Sequence, residues 1–140
     1  GPFVSPGQLT LVKGLGNVFL SVESPQERLH DYLTIYSTGK ININTAPIPV
    51  LQSLHPGIDK GIAENIVEYR KETNFRTIQE ILKVPGFTPE LFNAIKDSVT
   101  TKSSAFSIQT EGHSDTAVRR LNAVVLRENG KLRIVYWRVT

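Results

Sequence analysis

The chain has 140 residues, of which 39% are hydrophobic and 21% charged, and its formal net charge is +3. This length is too short for a two-lobed enzyme or a (β/α)₈ barrel, and the apolar fraction is too high for a disordered chain. The absence of cysteine excludes disulfides, thiolate metal sites and cysteine nucleophiles. The composition therefore predicts one or two small domains with a hydrophobic core.

The basic residues concentrate towards the C-terminus. Residues 1–39 carry two basic and three acidic side chains, residues 40–100 carry seven of each, and residues 101–140 carry seven basic and three acidic ones. The positive net charge therefore comes from the last part of the sequence.

The start of the chain has the character of a fragment. It begins with Gly1-Pro2 and contains no methionine, so residues 1–2 are interpreted as an expression scar left by protease cleavage. Residues 3–30 are poorly periodic and rich in glycine, serine and proline. No run in the chain approaches the roughly 18–20 apolar residues that span a membrane.

The hydrophobic period changes twice along the chain. Residues 31–39 predict a strand followed by a turn, because β-branched and aromatic residues alternate there. Residues 40–100 predict four short helices, and residues 101–140 predict three strands with a hairpin turn at Asn129-Gly130. The predicted fold class is therefore α+β, an antiparallel sheet with an inserted helical block.

Capping signals predict where the four helices begin. Thr45 can cap the first helix, Asp59 the second and Thr88 the fourth. Thr77 and Glu80 have the spacing of a capping box and predict the start of the third helix.

A short pattern recurs within the helical block, and a related one lies at residues 11–16. Gly57 is followed by the apolar Ile58, and Gly86 by Phe87. This is the helix-hairpin-helix pattern, in which glycine allows a sharp turn and the apolar residue fills the space between two helices. Two copies predict a compact four-helix unit with a shared core.

The two copies depart from the pattern of DNA-binding hairpins. Such hairpins present a second glycine and then a basic residue to the phosphate backbone. The second-glycine positions are Asp59 and Thr88 here, and the basic positions are Gly61 and Glu90. Lys60 is the only nearby cation in the first hairpin.

The charge balance of the helical block also predicts that it does not bind nucleic acid. Its net charge of zero offers no general attraction for phosphates. A structural or protein-interaction role is therefore favoured for the block. Under the alternative of nucleic-acid binding, the candidate contacts are Gly57, Lys60 and Gly86.

The sequence contains no recognisable catalytic or metal-binding motif. His30, His55 and His113 share no metal-ligand spacing, and Glu111 and Asp115 are typical of a solvated strand connection. G-x-S-x-G, H-E-x-x-H and P-loop motifs are absent. We therefore predict no catalytic residue, no small-molecule substrate and no metal ligand.

The last strand supplies candidate partner contacts. Tyr136 and Trp137 are adjacent, so they lie on opposite faces of a strand, and one is predicted to be in the core. With Arg138 they form the candidate partner-binding residues. The predicted strands also carry a basic face, formed by Arg119, Arg120, Arg127, Arg133 and Arg138. We interpret that face as protection against strand aggregation, with a phosphate or acidic-partner surface as the alternative.

Several segments resemble the general secretion pathway protein K family, the minor pseudopilins of bacterial type II secretion systems. The segments that carry the resemblance are 32–37, 39–47, 50–51, Ala63, Ile66, Arg70, Phe75, 98–108, Val125, Arg127 and 134–138. The resemblance runs from Leu9 to the C-terminus. Residues 43–46 alone also resemble the paired hairpins of competence DNA receptors, and the flanking strand motifs favour the secretion family.

The resemblance implies a structural, non-enzymatic role. Residues 31–39 and 101–140 would form a pilin-like sheet, residues 40–100 its helical insertion, and residues 3–30 the remnant of an upstream helical half. The protein would sit at the pseudopilus tip, bind other minor pseudopilins and help to initiate or limit assembly. It would be the periplasmic head of a protein anchored in the inner membrane by a missing N-terminal helix. Calcium sites occur in the family, but no ligand set maps onto this chain, so no cofactor is assigned.

Two alternatives involve DNA. The first is a double-stranded DNA-binding module of the competence-receptor type that uses the two hairpins. The second, a remnant of a helix-hairpin-helix DNA glycosylase, fails on size and on the missing catalytic Lys/Asp placement after the hairpin. Strongly salt-dependent binding to duplex DNA would favour the first alternative over the pseudopilin.

Overall fold

The computed structural model describes residues 6–13 and 32–140. A 3₁₀ helix spans Pro6–Leu11. The later elements, in chain order, are β1 (Ile41–Asn42), α1 (Ile48–Gln52), α2 (Lys60–Glu72), a second 3₁₀ helix (Ile78–Lys83), α3 (Pro89–Ile95), β2 (Val99–Thr100), β3 (Ala105–Ser114), β4 (Ala117–Glu128) and β5 (Lys131–Val139). The fold is therefore mixed α and β, with a helical region followed by an antiparallel three-stranded sheet.

Two short strands join the ends of the helical region. β1 pairs in parallel with β2. The N–H of Ile41 donates to the carbonyl of Ser98 at 2.9 Å, and the N–H of Ile43 donates to the carbonyl of Thr100 at 3.0 Å. Because this pairing closes the region on itself, we call residues 41–100 the hairpin unit.

The hydrophobic core lies in the hairpin unit. Its largest fully buried side chains are Ile43, Leu51, Ile58, Ile66, Ile81 and Ile95. In α2, Ala63 and Ile66 are buried, while Ile62 and Val67 pack partly against the core. This is the stripe that a half-buried helix produces at its period of 3.6 residues.

The helix starts follow the capping signals at three positions and depart from them at the first. Thr77 is the N-cap of the second 3₁₀ helix, and the Glu80 carboxylate accepts from the N–H of Thr77 at 3.4 Å, as the capping box predicts. Asp59 and Thr88 accept hydrogen bonds from first-turn backbone N–H groups of α2 and α3 at 2.8 and 3.3 Å, as predicted. The cap of α1 is Pro47, whose ring offers no side-chain hydrogen bond, and Thr45 lies in the preceding turn. The predicted Thr45 cap is therefore wrong, and the predicted third helix is a 3₁₀ helix.

Asn44 connects three segments of the hairpin unit. Its Nδ2 donates to the carbonyls of Phe75 at 2.9 Å and Thr101 at 3.1 Å, and its Oδ1 accepts from the N–H of Phe75 at 2.9 Å. The Nδ2 of Asn42 donates to Oγ of Ser103 at 2.8 Å. The two amides thereby join the entry of the unit to its exit, and Asn44 also holds the connection that follows α2.

The three-stranded sheet has β4 at its centre and β3 and β5 at its edges. Asn129 and Gly130 form the turn between β4 and β5 with φ angles of 50° and 74°, as the hairpin signal predicts. The β4–β5 register shifts between Val124 and Val125, which are opposite Tyr136 and Ile134, so Val135 is an extra residue in β5. Such a bulge resets which side chains share a face.

The predicted strand over residues 31–39 is wrong. Residues 33–40 contain bends and no strand, and residue 31 lies outside the described residues. The described sheet of β3, β4 and β5 therefore gains no strand from before the hairpin unit. Within the described residues, the hairpin unit has strands of that sheet only on its C-terminal side, and the pilin-like description is not confirmed. Half of the related pattern at residues 11–16, namely Gly14, Leu15 and Gly16, also lies outside the described residues.

Candidate nucleic-acid interface

The two hairpin loops pack against each other's helices. A Cβ atom on Gly57, in the first loop, would lie 2.8 Å from Cδ2 of Leu91 in α3. A Cβ atom on Gly86, in the second loop, would lie 3.3 Å from Cγ1 of Ile62 in α2. Each glycine lies two residues before the residue that caps the following helix. The side chain it approaches belongs to the other helix, three residues after that helix's cap. Both loops and the first turns of α2 and α3 therefore lie together at one end of the hairpin unit.

The sequence prediction named the glycines but missed the residues against which they pack. Leu91 and Ile62 are apolar residues of α3 and α2, and helical periodicity alone does not distinguish them from other residues that pack against the core. Their equal spacing after the caps Thr88 and Asp59 is the signal that could have identified them, because a duplicated unit repeats its contacts along with its sequence.

The apolar residue of each loop fills the space between helices, as predicted. Ile58 is 2% exposed and Phe87 is 7% exposed. The first loop is further fixed by His55, whose Nδ1 accepts from the N–H of Gly57 at 3.0 Å and whose carbonyl accepts from the N–H of Ile58 at 2.9 Å. The loop backbone is thus held in one conformation before any ligand binds.

The first turn of α2 offers hydrogen-bond donors at the end of the first hairpin. Asp59 satisfies the N–H of Ile62, and among the described residues the N–H groups of Lys60 and Gly61 have no acceptor. Lys60 Nζ is 3.8 Å from Oε1 of Glu64, and both side chains are mostly exposed. Exposed pairs at this distance are weak. The first hairpin therefore combines free amides, a helix N-terminus and a cation, a combination that suits an anion.

The second hairpin is less suited to an anion. Pro89, the first residue of α3, has no N–H. The Glu90 carboxylate accepts a hydrogen bond from its own backbone N–H and one from the Thr88 hydroxyl, and these bonds hold the pKa of Glu90 below its ordinary value. A carboxylate thus stands where DNA-binding hairpins carry a basic residue, and the two hairpins differ in charge.

Several other carboxylates of the unit are paired internally. Glu80 accepts from the N–H of Arg76 at 2.6 Å and from Lys83 Nζ at 3.1 Å. These bonds lower the pKa of Glu80, and the same carboxylate raises the pKa of Lys83. Glu68 pairs with Lys71 at 2.7 Å. A net charge summed over residues 40–100 therefore does not describe the field at the hairpin loops.

The predicted partner residues lie in β5 and not at the hairpin loops. Trp137 is opposite Ala123 and Tyr136 is opposite Val124, so the two rings are on different faces as predicted. Trp137 is 61% exposed and Tyr136 is 39% exposed, so neither is the expected core residue. Arg138 is also exposed.

The arginines of the sheet do not form the single basic face that was predicted. Strand alternation and the bulge at Val135 place Arg119 and Arg127 on one face. The arginines on the other face are Arg120, Arg133 and Arg138. A count of arginines along the sequence cannot show this division, because one extra residue in a strand reverses the faces of all residues after it.

Residues 6–13 and 32–140 contain neither a group of metal-binding side chains nor a membrane-spanning helix. No group of three or more His, Cys, Asp or Glu side chains in these ranges could hold a metal ion. No helix in them is long and apolar enough to cross a bilayer. The predicted periplasmic location stays a prediction.

The hairpin unit is similar to parts of known proteins. Residues 37–100 match the family described as the helix-hairpin-helix motif. The chain is 43% identical over 63 residues to the ComE operon protein 1 of Bacillus subtilis (strain 168), an alignment covering 44% of this chain and 30% of that protein. It is 34% and 32% identical over 82 residues to the endonuclease/exonuclease/phosphatase family domain-containing protein 1 of Danio rerio and of Homo sapiens, covering 58% of this chain and 14% of each relative. The chain thus spans less than a third of the length of these relatives, and no solved structure matches it.

These findings overturn two of the predictions. Neither the motif match nor the ComE operon relative points to a type II secretion pseudopilin, so that assignment and its pseudopilin partners are wrong. The motif match and the ComE operon relative also contradict the prediction against nucleic acid, which rested on a net charge summed over residues 40–100. Residues 37–100 carry a helix-hairpin-helix motif, and its two loops lie together at one end of the hairpin unit.

Proposed function

We propose that the hairpin unit binds the phosphate backbone of double-stranded DNA, as a non-enzymatic module of the competence-receptor type. The motif match and the ComE operon relative support this choice of partner. The relatives named for an endonuclease/exonuclease/phosphatase domain align over only 14% of their length, which gives no support for a catalytic step in this chain.

The observation that carries the proposal is the reciprocal packing of the two glycines. It relates the loops by an approximate two-fold axis and places them at one end of the unit. The two strands of a duplex run antiparallel, so two loops related in this way can each meet one strand. Backbone N–H groups that contact phosphates position a protein on DNA without reading its sequence. The module is therefore expected to bind duplexes of any sequence.

The first hairpin supplies most of the affinity in this proposal. It offers the free N–H groups of Lys60 and Gly61 together with the Lys60 ammonium. The second hairpin offers Gly86 at its turn, but the Glu90 carboxylate repels phosphate. Gly57 allows its loop to approach α3 closely, Gly86 allows the positive φ angle of the second turn, and Lys60 adds the charge.

Replacing Lys60 with Glu is expected to weaken duplex binding about tenfold at low salt. The change turns one attraction into a repulsion, and each is worth about 0.8 kcal/mol for unit charges roughly 5 Å apart in water. Binding is measured with a labelled random duplex across a salt series. The affinity of the unsubstituted chain should fall as salt rises, with a log–log slope of about −2 to −4 for a few phosphate contacts.

The matched control for this prediction is Lys71→Glu. It makes the same change in net charge about 16 Å further along α2, next to Glu68 and away from the loops. Equal losses in the two variants would show that only net charge matters. Absence of salt-dependent duplex binding in the unsubstituted chain would refute the proposed function.

Replacing Glu90 with Gln is expected to raise duplex affinity about fourfold. The substitution removes one carboxylate from the second hairpin while keeping the size of the side chain and its hydrogen-bonding oxygen. The gain corresponds to the loss of one repulsion of about 0.8 kcal/mol. Measurement in the same salt series should show the gain shrinking as salt rises. An unchanged affinity at low salt would place the second hairpin away from the DNA.

A further inference from the structure

One face of the three-stranded sheet carries most of the sheet's large apolar side chains. Residues paired across neighbouring strands point to the same face, so the register shows which side chains belong to it. Its large apolar members and Ala123 are Phe106, Ile108, Leu121, Ala123, Val125, Leu132, Ile134, Trp137 and Val139. The same face also carries Thr110, Gly112, Ser114, Ala117, Arg119 and Arg127, and we call the whole set the apolar sheet face. The bulge at Val135 maintains it, because in a β5 that alternated regularly through Val135, Trp137 and Val139 would lie on the opposite face from Leu132 and Ile134.

The apolar sheet face is uncovered in the described part of the chain. Leu132 is 70% exposed, Trp137 61% and Ile134 59%. Of the whole face, only Ala123 is buried. A sheet normally buries its apolar side against a second layer, and an exposed patch of this extent marks an interaction surface.

We propose that the apolar sheet face binds an amphipathic helix of a partner protein whose two ends carry carboxylates. The outer strands β3 and β5 are about 9.6 Å apart, twice the spacing of neighbouring strands. A helix with its side chains is about 10–12 Å wide. One helix therefore covers the three strands, and it brings its own backbone hydrogen bonds to a face that has none to offer.

The charges on this face determine the kind of helix. The only ionic side chains on it are Arg119 and Arg127, at opposite ends of the central strand β4. Eight residues of strand separate them by about 27 Å, the length of a helix of roughly 18 residues. The Arg127 guanidinium is 5.2 Å from the ring centre of Phe106 and donates from Nη2 to the carbonyl of Ser103 at 2.9 Å, so it is held in place. Carboxylates near both ends of the helix complement the two cations.

A second copy of the chain fits this face less well. A two-fold axis parallel to the strands brings Arg119 against Arg119 and Arg127 against Arg127. An axis across the strands brings Arg119 against Arg127. Every such dimer therefore sets cation against cation at both ends of the interface, which opposes association.

A single strand of nucleic acid and a lipid surface also fit less well. Bases stack on aromatic rings, and only Phe106 and Trp137 on this face are aromatic. In a bilayer, the edges of the sheet would leave the free N–H and C=O groups of β3 and β5 without partners. A helix avoids both difficulties.

The test uses Trp137, the only tryptophan of the chain, as its reporter. A tryptophan-free 18-residue synthetic peptide with a leucine–alanine stripe and glutamates in its first and last turns is titrated into the full chain. Burial of Trp137 should give a saturable blue shift of its emission. The same peptide with lysines at its ends should bind about tenfold more weakly, because two attractions become repulsions.

A charge-reversed protein completes the test. The double substitution Arg119→Glu and Arg127→Glu should invert the preference, so that the lysine-ended peptide binds about tenfold more tightly than the glutamate-ended one. Far-ultraviolet circular dichroism and urea unfolding, which do not depend on the proposed DNA binding, confirm that each variant is folded. The proposal is overturned if the Trp137 emission does not shift with either peptide, or shifts equally with both. A larger shift with a single-stranded oligonucleotide or with anionic vesicles also overturns it. So does a dimer, seen by sedimentation, that excludes the peptide.

Discussion

Replacing Asn44 with Ala is expected to lower the free energy of unfolding of the hairpin unit by about 2–4 kcal/mol. The side chain makes three hydrogen bonds, two with the backbone of Phe75 and one with the carbonyl of Thr101. Each is worth about 0.5–1.5 kcal/mol, and the orphaned backbone groups add to the loss. Phe75 is 2% exposed, so water reaches these groups poorly.

The measurement is urea unfolding followed by far-ultraviolet circular dichroism, which reports the helices of the unit. The matched control is Asn65→Ala, which removes one exposed hydrogen bond, from Nδ2 to the carbonyl of Pro85 at 3.0 Å. The control should cost about 1 kcal/mol or less. Similar losses in the two variants would contradict the assignment of Asn44 as the link between three segments.

The hairpins could be predicted from the sequence because their determinants are local. Gly57 and Gly86 are each followed at once by the apolar residue that fills the helix interface, and Asp59 and Thr88 cap the helices two residues later. Each of these signals acts within about one turn of the chain, where backbone geometry depends little on the rest of the fold. The core of the hairpin unit followed from the same short-range periodicity.

The strand over residues 31–39 could not be predicted correctly, because strand formation depends on a partner. Its alternating composition fits a half-buried pleated surface, but β propensity is decided by the neighbouring strand. The structure gives that segment no partner strand among the described residues. The bulge at Val135 is a similar case, since its position follows from the register with β4 and not from the residues of β5 alone.

The electrostatics of the candidate site also depend on the fold. The seven acidic and seven basic residues of positions 40–100 cancel in the sequence. In the structure, Glu80 and Glu68 are bound to neighbouring groups, whereas Lys60 is exposed beside free N–H groups. At physiological salt, charges further apart than about 8 Å are largely screened. Local placement therefore decides whether a phosphate is attracted, and a summed charge cannot show it.

Replacing Gly86 with Ala is expected to lower the free energy of unfolding by about 1–2 kcal/mol. Shortening the contacting side chain with Ile62→Ala should not restore the lost stability. Gly86 has a φ angle of +82°, which other L-amino acids adopt only at about this cost. The contact with Ile62 adds a smaller steric penalty. Adding Ile62→Ala removes the contact and leaves the backbone strain.

Gly57 provides the contrasting case, because its φ angle is not positive and its constraint is steric. A Cβ atom there would meet Cδ2 of Leu91 at 2.8 Å and Nδ1 of His55 at 3.1 Å. Gly57→Ala alone should cost about 1 kcal/mol through displacement of Leu91. In a Leu91→Ala background the same change should be neutral or stabilising by up to about 1 kcal/mol, since alanine restricts the unfolded chain.

A double-mutant cycle for each loop separates the two mechanisms. The coupling energy should be close to 1 kcal/mol or above between positions 57 and 91, and only a few tenths of a kcal/mol between positions 86 and 62. Duplex binding measured on the same variants then shows whether the DNA contact requires the reciprocal packing. If the two cycles gave equal coupling, the loops would be constrained in the same way. The assignment of Gly86 to backbone conformation and of Gly57 to close approach would then be wrong.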